Sequence, residues 1–226
     1  MAHPGGTFAP GRSAPRDSGA FLIRCTLRHF AAEQSPGRGA PDRRLPGDTR
    51  VGALDIAGDE AGYPVDAHLA AFRLALEHDL HRTAHAGEAR GPESVWETLE
   101  RFKPSRLGHG VRSMEDPALV DHLRRERIHL EICPTHNVQI DVYPACVDHP
   151  IDRLSRQGVA VGVNTDARAV TKVTLSEECE RLAYTFGWRK ADCLACNLNA
   201  MEAAFAPAEV KQRVAGRLQR RKSHEP

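Results

Sequence analysis

No apolar run in this sequence approaches the roughly 20 residues needed to span a bilayer, and the opening Met1-Ala2-His3-Pro4-Gly5-Gly6 lacks the apolar core of a signal peptide. Those two absences predict a cytoplasmic protein with no membrane partner. A surplus of one charge is also missing: 31 basic against 30 acidic side chains leave a formal net charge of +1. The field that would hold nucleic acid or an anionic membrane is therefore absent, and a small neutral partner fits better. No glycine-rich turn of the dinucleotide or P-loop type occurs, which removes the usual signature of an open nucleotide-binding sheet. Nor is there a disulfide framework. The six cysteines lie scattered through apolar segments of a mid-sized chain, where buried free thiols are commoner. Cys193-Leu-Ala-Cys196 has ligand-like spacing but no second Cys/His pair near it, so packing is its reading.

With 226 residues, 41% of them hydrophobic, one substantial core is within reach. Residues 1–19 and the stretch from Ser35 to Arg50 are dense in Gly, Pro and Arg and show no period, which predicts irregular structure for both. The rest, 20–226, reads as one domain. Phe21 to Leu27 is a short apolar run of the buried parallel-strand kind. From Val51 onward an apolar run, a polar or glycine-containing tip and an amphipathic helix repeat in turn. The runs are Val51–Ile56, Arg82–His85, Arg106–His109, Ile128–Cys133 and Val159–Asn164. Helical patterns lie between and after them: Asp66 to His78, Pro92 to Phe102, Asp116 to Arg127, Ile151 to Gln157 and Ser176 to Phe186, with closing helices from Lys190 and Pro207. Strands alternating with helices of this length mean βα units on a parallel sheet.

An open doubly wound sheet and a (β/α)8 barrel both satisfy that alternation. The strand tips favour the barrel. His85 with Glu88, His109, Asp166, and Asp55 with Asp59 and Glu60 all stand at the carboxy ends of runs, and in a barrel those ends converge on one mouth. Singly, a strand-end His is usually structural and a strand-end Asp usually caps the next helix. Together they are a metal-ligand and acid/base set. Zinc takes imidazole and carboxylate ligands and in catalytic sites keeps one position for water, so His85 and Asp166 suit it. Glu88, three residues past His85, is placed for proton transfer.

These residues carry a family resemblance. Leu54-Asp-Ile-Ala-Gly-Asp-Glu60, Ala84-His-Ala-Gly-Glu88, Arg106-Leu-Gly-His-Gly110, Ile132-Cys-Pro-Thr-His-Asn137 and Val163-Asn-Thr-Asp166 resemble, in order, the strand-end motifs of the adenosine deaminase family. Cys25-Thr-Leu-Arg-His29 and Asn197-Leu-Asn-Ala-Met201 extend the likeness from about Phe21 to the closing helices. The resemblance implies zinc-dependent hydrolytic deamination of adenosine or a related 6-aminopurine nucleoside, with His85 and Asp166 as metal ligands. It further implies that Glu88 protonates the purine ring, that His109 orients and polarises the attacking hydroxide, and that Asp55 and Gly58 line the substrate side.

Three departures qualify the transfer. The His-x-His strand that opens the family and supplies two more ligands has no counterpart, and six of the eight barrel strands are accounted for, which reads as an N-terminally truncated member. Ala167 stands where the family usually has a second acidic or amide residue. His136 stands where relatives commonly carry a small hydroxyl residue. The alternative expectation is a catalytically inactive remnant that binds a nucleoside or a partner. A further reading, an amidohydrolase acting on esters or phosphotriesters, would need a metal-bridging lysine at a strand tip, and no tip offers one.

Overall fold

The computed structural model describes residues 22–32 and 51–222. The two segments expected to be irregular, 1–19 and Ser35 to Arg50, lie outside the described residues. Among the described residues six strands form one parallel sheet in the order β1 to β6: Leu22–Leu27, Val51–Ala57, His81–Ala86, Arg106–His109, His129–Ile132 and Val161–Val163. Nine α-helices accompany them: α1 Leu69–Glu77, α2 Pro92–Phe102, α3 Pro117–Arg125, α4 Pro134–Gln139, α5 Ile151–Arg156, α6 Arg168–Thr171, α7 Leu175–Phe186, α8 Lys190–Ala203 and α9 Ala208–Lys222. This is an α/β architecture of the (β/α) barrel type, incomplete at six strands, with β1 and β6 as its two edges. No described helix is long and apolar enough to cross a membrane.

Local chemistry explains the helices that fix the strand spacing. In α2, Pro92 occupies the first turn, where its missing N–H is harmless, and Val95, Leu99 and Phe102 recur on one buried face. It ends at Lys103, whose left-handed backbone (φ 47°) stops it before Pro104. The Asp116 carboxylate caps α3 by accepting the Ala118 amide at 2.9 Å. Thr174 and Glu177 form a reciprocal capping box on α7, and Gly187 closes that helix with φ 70°.

The core lies where the strands meet these helices. Leu107, Leu119, Leu123, Leu130, Ile132, Ile151 and Leu154 are fully buried, and Phe72 stacks on Phe102 with centroids 3.8 Å apart. The sequence periods do not reveal α4 or α6. The six residues of α4 include a single aliphatic one, Val138, and α6 has only four residues, so neither shows a helical repeat. One expectation fails at the sheet edge. Cys133 and Cys196 are buried free thiols, but Cys25 is exposed, because it lies on β1 and no described strand covers that side.

Candidate active site at the strand tips

The carboxy ends of β2 to β6 bring the sequence-singled residues to one end of the sheet. At β3, His85 sits directly across from Gly108 of β4. A Cβ at position 108 would lie 3.0 Å from the His85 ring, so this glycine makes room for the imidazole. His85 Nδ1 faces the Ile56 carbonyl at 3.1 Å and Asp55 Oδ1 at 3.4 Å, which leaves Nε2 as the free donor. Burial opposes a charge on His85, but the Asp55 bond and charge, helped by Glu88 and Asp166, lift its pKa to about 9. Asp55 is thus placed beside His85, with its oxygen also on the Ile56 amide at 2.7 Å. Gly58, in left-handed conformation at φ 95°, turns the β2 tip toward Arg28 and His29.

His109 and Asp166 come together although 57 residues of sequence, counted as 166 minus 109, separate them. His109 Nε2 lies 3.8 Å from Asp166 Oδ2, and its Nδ1 lies 3.1 Å from Glu88 Oε1. The rings of His85 and His109 are 5.3 Å apart. Both His109 (φ 60°) and Asp166 (φ 54°) adopt left-handed backbone. Such geometry costs on the order of 1 kcal/mol or more for a non-glycine residue and gathers at functional sites. Burial, then the nearby His85 charge, pushes His109 down to about 4, so its imidazole is neutral. Burial, then the Asp166 charge, raises Glu88 to about 7, within reach of proton exchange at neutral pH.

Sequence reasoning missed the contacts that hold this arrangement, and read Glu60 only as one more strand-tip acid. Glu60 is buried, and its carboxylate accepts the amides of Gly87, Glu88, Ala89 and Arg90 together with the Ser94 hydroxyl. One side chain from β2's tip thus shapes the whole β3 loop that presents Glu88. Burial alone would raise its pKa, but those bonds pull it below the usual carboxylate range. Asn137 on α4 donates to Glu88 Oε1 at 2.7 Å and faces His109 Nδ1 at 3.3 Å. His149 fixes that amide in turn: its Nδ1 accepts the Ile151 amide and its Nε2–H donates to Asn137 Oδ1, both at 3.2 Å. Burial, then His109, drives His149 down to about 3, so it stays neutral. Arg28 Nη2 donates to the His85 carbonyl at 2.9 Å and pins the β3 tip from beneath. Only the strand-tip position of Glu60 and the Thr-His-Asn run after Pro134 signalled any of this in the sequence.

Among the described residues, His109, Cys133 and Asp166 form a group whose donor atoms lie within 4.8 Å of one another. His85 stands beside that group with Nε2 uncommitted. Imidazole and carboxylate donors of this kind suit zinc. Burial, then the carboxylates of Asp166 and Glu88, push the Cys133 thiol well up in the metal-free protein.

A family model described as adenosine deaminase matches residues 13–221. An adenosine deaminase from Shigella boydii is 37% identical over 163 residues, covering 72% of this chain and 49% of the relative. The chain therefore spans about half the length of the curated relatives it matches. Among solved structures, the adenine deaminase from Arthrobacter aurescens superposes with a TM-score of 0.83 at 25% identity, covering 90% of this chain and 62% of that one. An Arabidopsis N6-mAMP deaminase follows at 0.77 and 27%, covering 88% and 58%.

Proposed function

Because the chain belongs to the adenosine deaminase family, we propose that its strand-tip mouth is a zinc-dependent aminohydrolase site. Its substrate would be adenosine or a related 6-aminopurine nucleoside, whose amino group is replaced by oxygen with release of ammonia. The observation that carries the proposal is Glu88, a carboxyl whose pKa is lifted to about 7, held 3.1 Å from a neutral histidine at a mouth that also presents His85 and Asp166.

In this reading His85 Nε2 and Asp166 hold the metal, and Asp55 keeps the His85 ring turned while lining, with Gly58, the substrate side. A divalent ion there supplies the Lewis acidity that makes water a competent nucleophile near neutral pH. The chain's own groups do the rest. Attack on the carbon bearing the amino group breaks ring conjugation, so the barrier falls if the adjacent ring nitrogen is protonated at the same time; protonated Glu88 is that acid. His109, kept uncharged by burial, takes the proton from the attacking water and returns it to the departing amine. As the carbon–oxygen double bond forms, the remaining proton of that water goes to Glu88, so one water is consumed, one ammonia leaves and the protein ends as it began. Asn137, oriented by His149, keeps Glu88 and His109 in register. Ala167 places only a methyl group beside Asp166, which leaves base selection to the other walls and admits aminopurines besides adenosine.

Ammonia release from adenosine and other 6-aminopurine nucleosides by the zinc-loaded chain tests this. Glu88→Gln keeps the side chain's shape and should lower turnover by roughly 10²-fold or more while zinc content is unchanged. Equal turnover in the two proteins overturns the assigned chemistry. A chain that takes up no zinc and releases no ammonia supports the non-catalytic binding reading instead.

A further inference from the structure

One buried acid has no task in that scheme. Glu178 lies in the first turn of α7 and is fully buried, and its Oε2 finds no hydrogen-bond partner among the described residues. Its own helix does not need it, because Thr174 and Glu177 already cap α7. Taking a carboxylate out of water opposes folding unless the bonds it makes return more. Burial pushes this carboxyl above its ordinary range, against the pull of Thr135 and Arg181. The bonds it does make must therefore be sought outside α7.

They lead to α4. Glu178 Oε1 accepts the Thr135 amide at 3.2 Å, and Arg181, one turn further along α7, donates to the Thr135 hydroxyl at 3.1 Å. Thr135 is the second residue of α4. That helix has no side-chain cap from Cys133 before it, and Pro134 brings no N–H, so the Thr135 amide is the first donor that its start leaves open. Two residues on, Asn137 donates to Glu88 at 2.7 Å and faces His109 at 3.3 Å. The far side of Asn137 is tied to its own loop, through the Val142 amide on its carbonyl at 2.9 Å, whereas the turn before it is gripped from α7. We propose that Glu178 is a positioning residue for this site: by capping α4 through the Thr135 amide it holds Asn137 where that amide can orient Glu88 and His109. The catalytic meaning of this placement rests on the aminohydrolase reading given above; the placement itself does not.

Three substitutions in the full chain test it. Glu178→Met keeps the bulk and removes the acceptor, Glu178→Asp keeps the charge but is one methylene short of the amide, and Glu178→Gln keeps an acceptor oxygen in place. The first two should lower kcat for ammonia release by roughly 10- to 100-fold, the scale of a misplaced catalytic group, while the third stays near the unsubstituted chain. Combined with Asn137→Ala, Glu178→Met should cost little beyond Asn137→Ala alone, because the two act in series. A second readout needs no turnover. The Asn137 backbone amide bonds the Cys133 carbonyl at 2.9 Å, and its hydrogen exchange should quicken by roughly 10-fold in the first two variants and not in the third, with the Leu130 amide of β5 unchanged in all. Equal losses in all three variants, additive losses with Asn137→Ala, or unchanged exchange at Asn137 overturns the proposal. Exchange quickened as much at Leu130 as at Asn137 also overturns it, because that is general destabilisation. If the unsubstituted chain releases no ammonia, the aminohydrolase reading fails by itself, and exchange at Asn137 decides whether Glu178 places α4.

Discussion

His109 and His129 stand at opposite ends of neighbouring strands, both are buried, and both are pushed by burial to about 4, yet their surroundings differ in kind. At the mouth, His109 is surrounded by two carboxylates, an amide and a second imidazole: Glu88, Asp166, Asn137 and His136. At the other end, His129 lies against Gly162, and its neighbours are structural. The Arg106 guanidinium sits 3.9 Å above the Phe205 ring, His81 stacks on the same ring at 4.6 Å, and Arg82 donates to the carbonyls of Leu80, Phe102 and Lys103. Left-handed backbone does not follow this division: His109 and Asp166 adopt it at the mouth, and Asp79, Lys103 and Arg127 adopt it just before β3, β4 and β5. A barrel thus uses one set of residue types twice, for cohesion at the amino ends of its strands and for chemistry at the carboxy ends. Burial and a shifted pKa do not distinguish the two; convergence of opposite charges on an open mouth does.

Substitutions at each end sharpen or break that contrast. The largest stability effect belongs to Glu60, because Glu60→Ala leaves buried donors around the β3 loop without an acceptor. Unfolding should become easier by about 3 kcal/mol, and turnover should fall with it as Glu88 loses its placement. Denaturant titration measures the first and ammonia release the second. Unchanged turnover would mean that the loop holds its shape without its carboxylate. Arg106→Ala, at the opposite end, removes the contact over Phe205 and the Glu131 ion pair at 3.5 Å and should cost about 2 kcal/mol of stability. Turnover and metal content should not move; a fall in either at a temperature where the protein is folded would erase the division between the two ends.

A smaller effect appears in the pH dependence of the metal-free protein. The folded Glu88 carboxyl, at about 7, holds its proton more tightly than the unfolded side chain, whose ordinary value is 4.5. Its stabilising contribution is therefore fully present below about 4.5 and lost as pH rises through 7. Glu88→Gln cannot ionise, so its melting temperature should exceed that of the unsubstituted chain at pH 8 by more than it does at pH 4. The same difference at both pH values would contradict the raised pKa.

Much of this was legible in the sequence because it is written in local terms. The five runs from Val51 to Asn164 each become a parallel strand, and their tips bring His85, His109 and Asp166 to one end. What stayed hidden depends on contacts between segments distant in the chain. Glu60 reads as one more acid at a strand tip, since nothing near it shows that its partners are amides 27 to 30 residues later. Asn137 and His149 act across 12 residues and through a six-residue helix whose one aliphatic residue, Val138, gives no period to read. Cys25 reads as a core thiol because β1 has the composition of a covered strand, whereas its cover is a matter of topology.

Metal content gives the most direct test of whether the strand tips form a single metal-binding mouth. The full chain, loaded with zinc and dialysed, should retain one ion per chain, and His85→Ala and Asp166→Asn should each retain far less while keeping the same helical content by circular dichroism. Zinc retained equally by all three proteins, or by none, would contradict it.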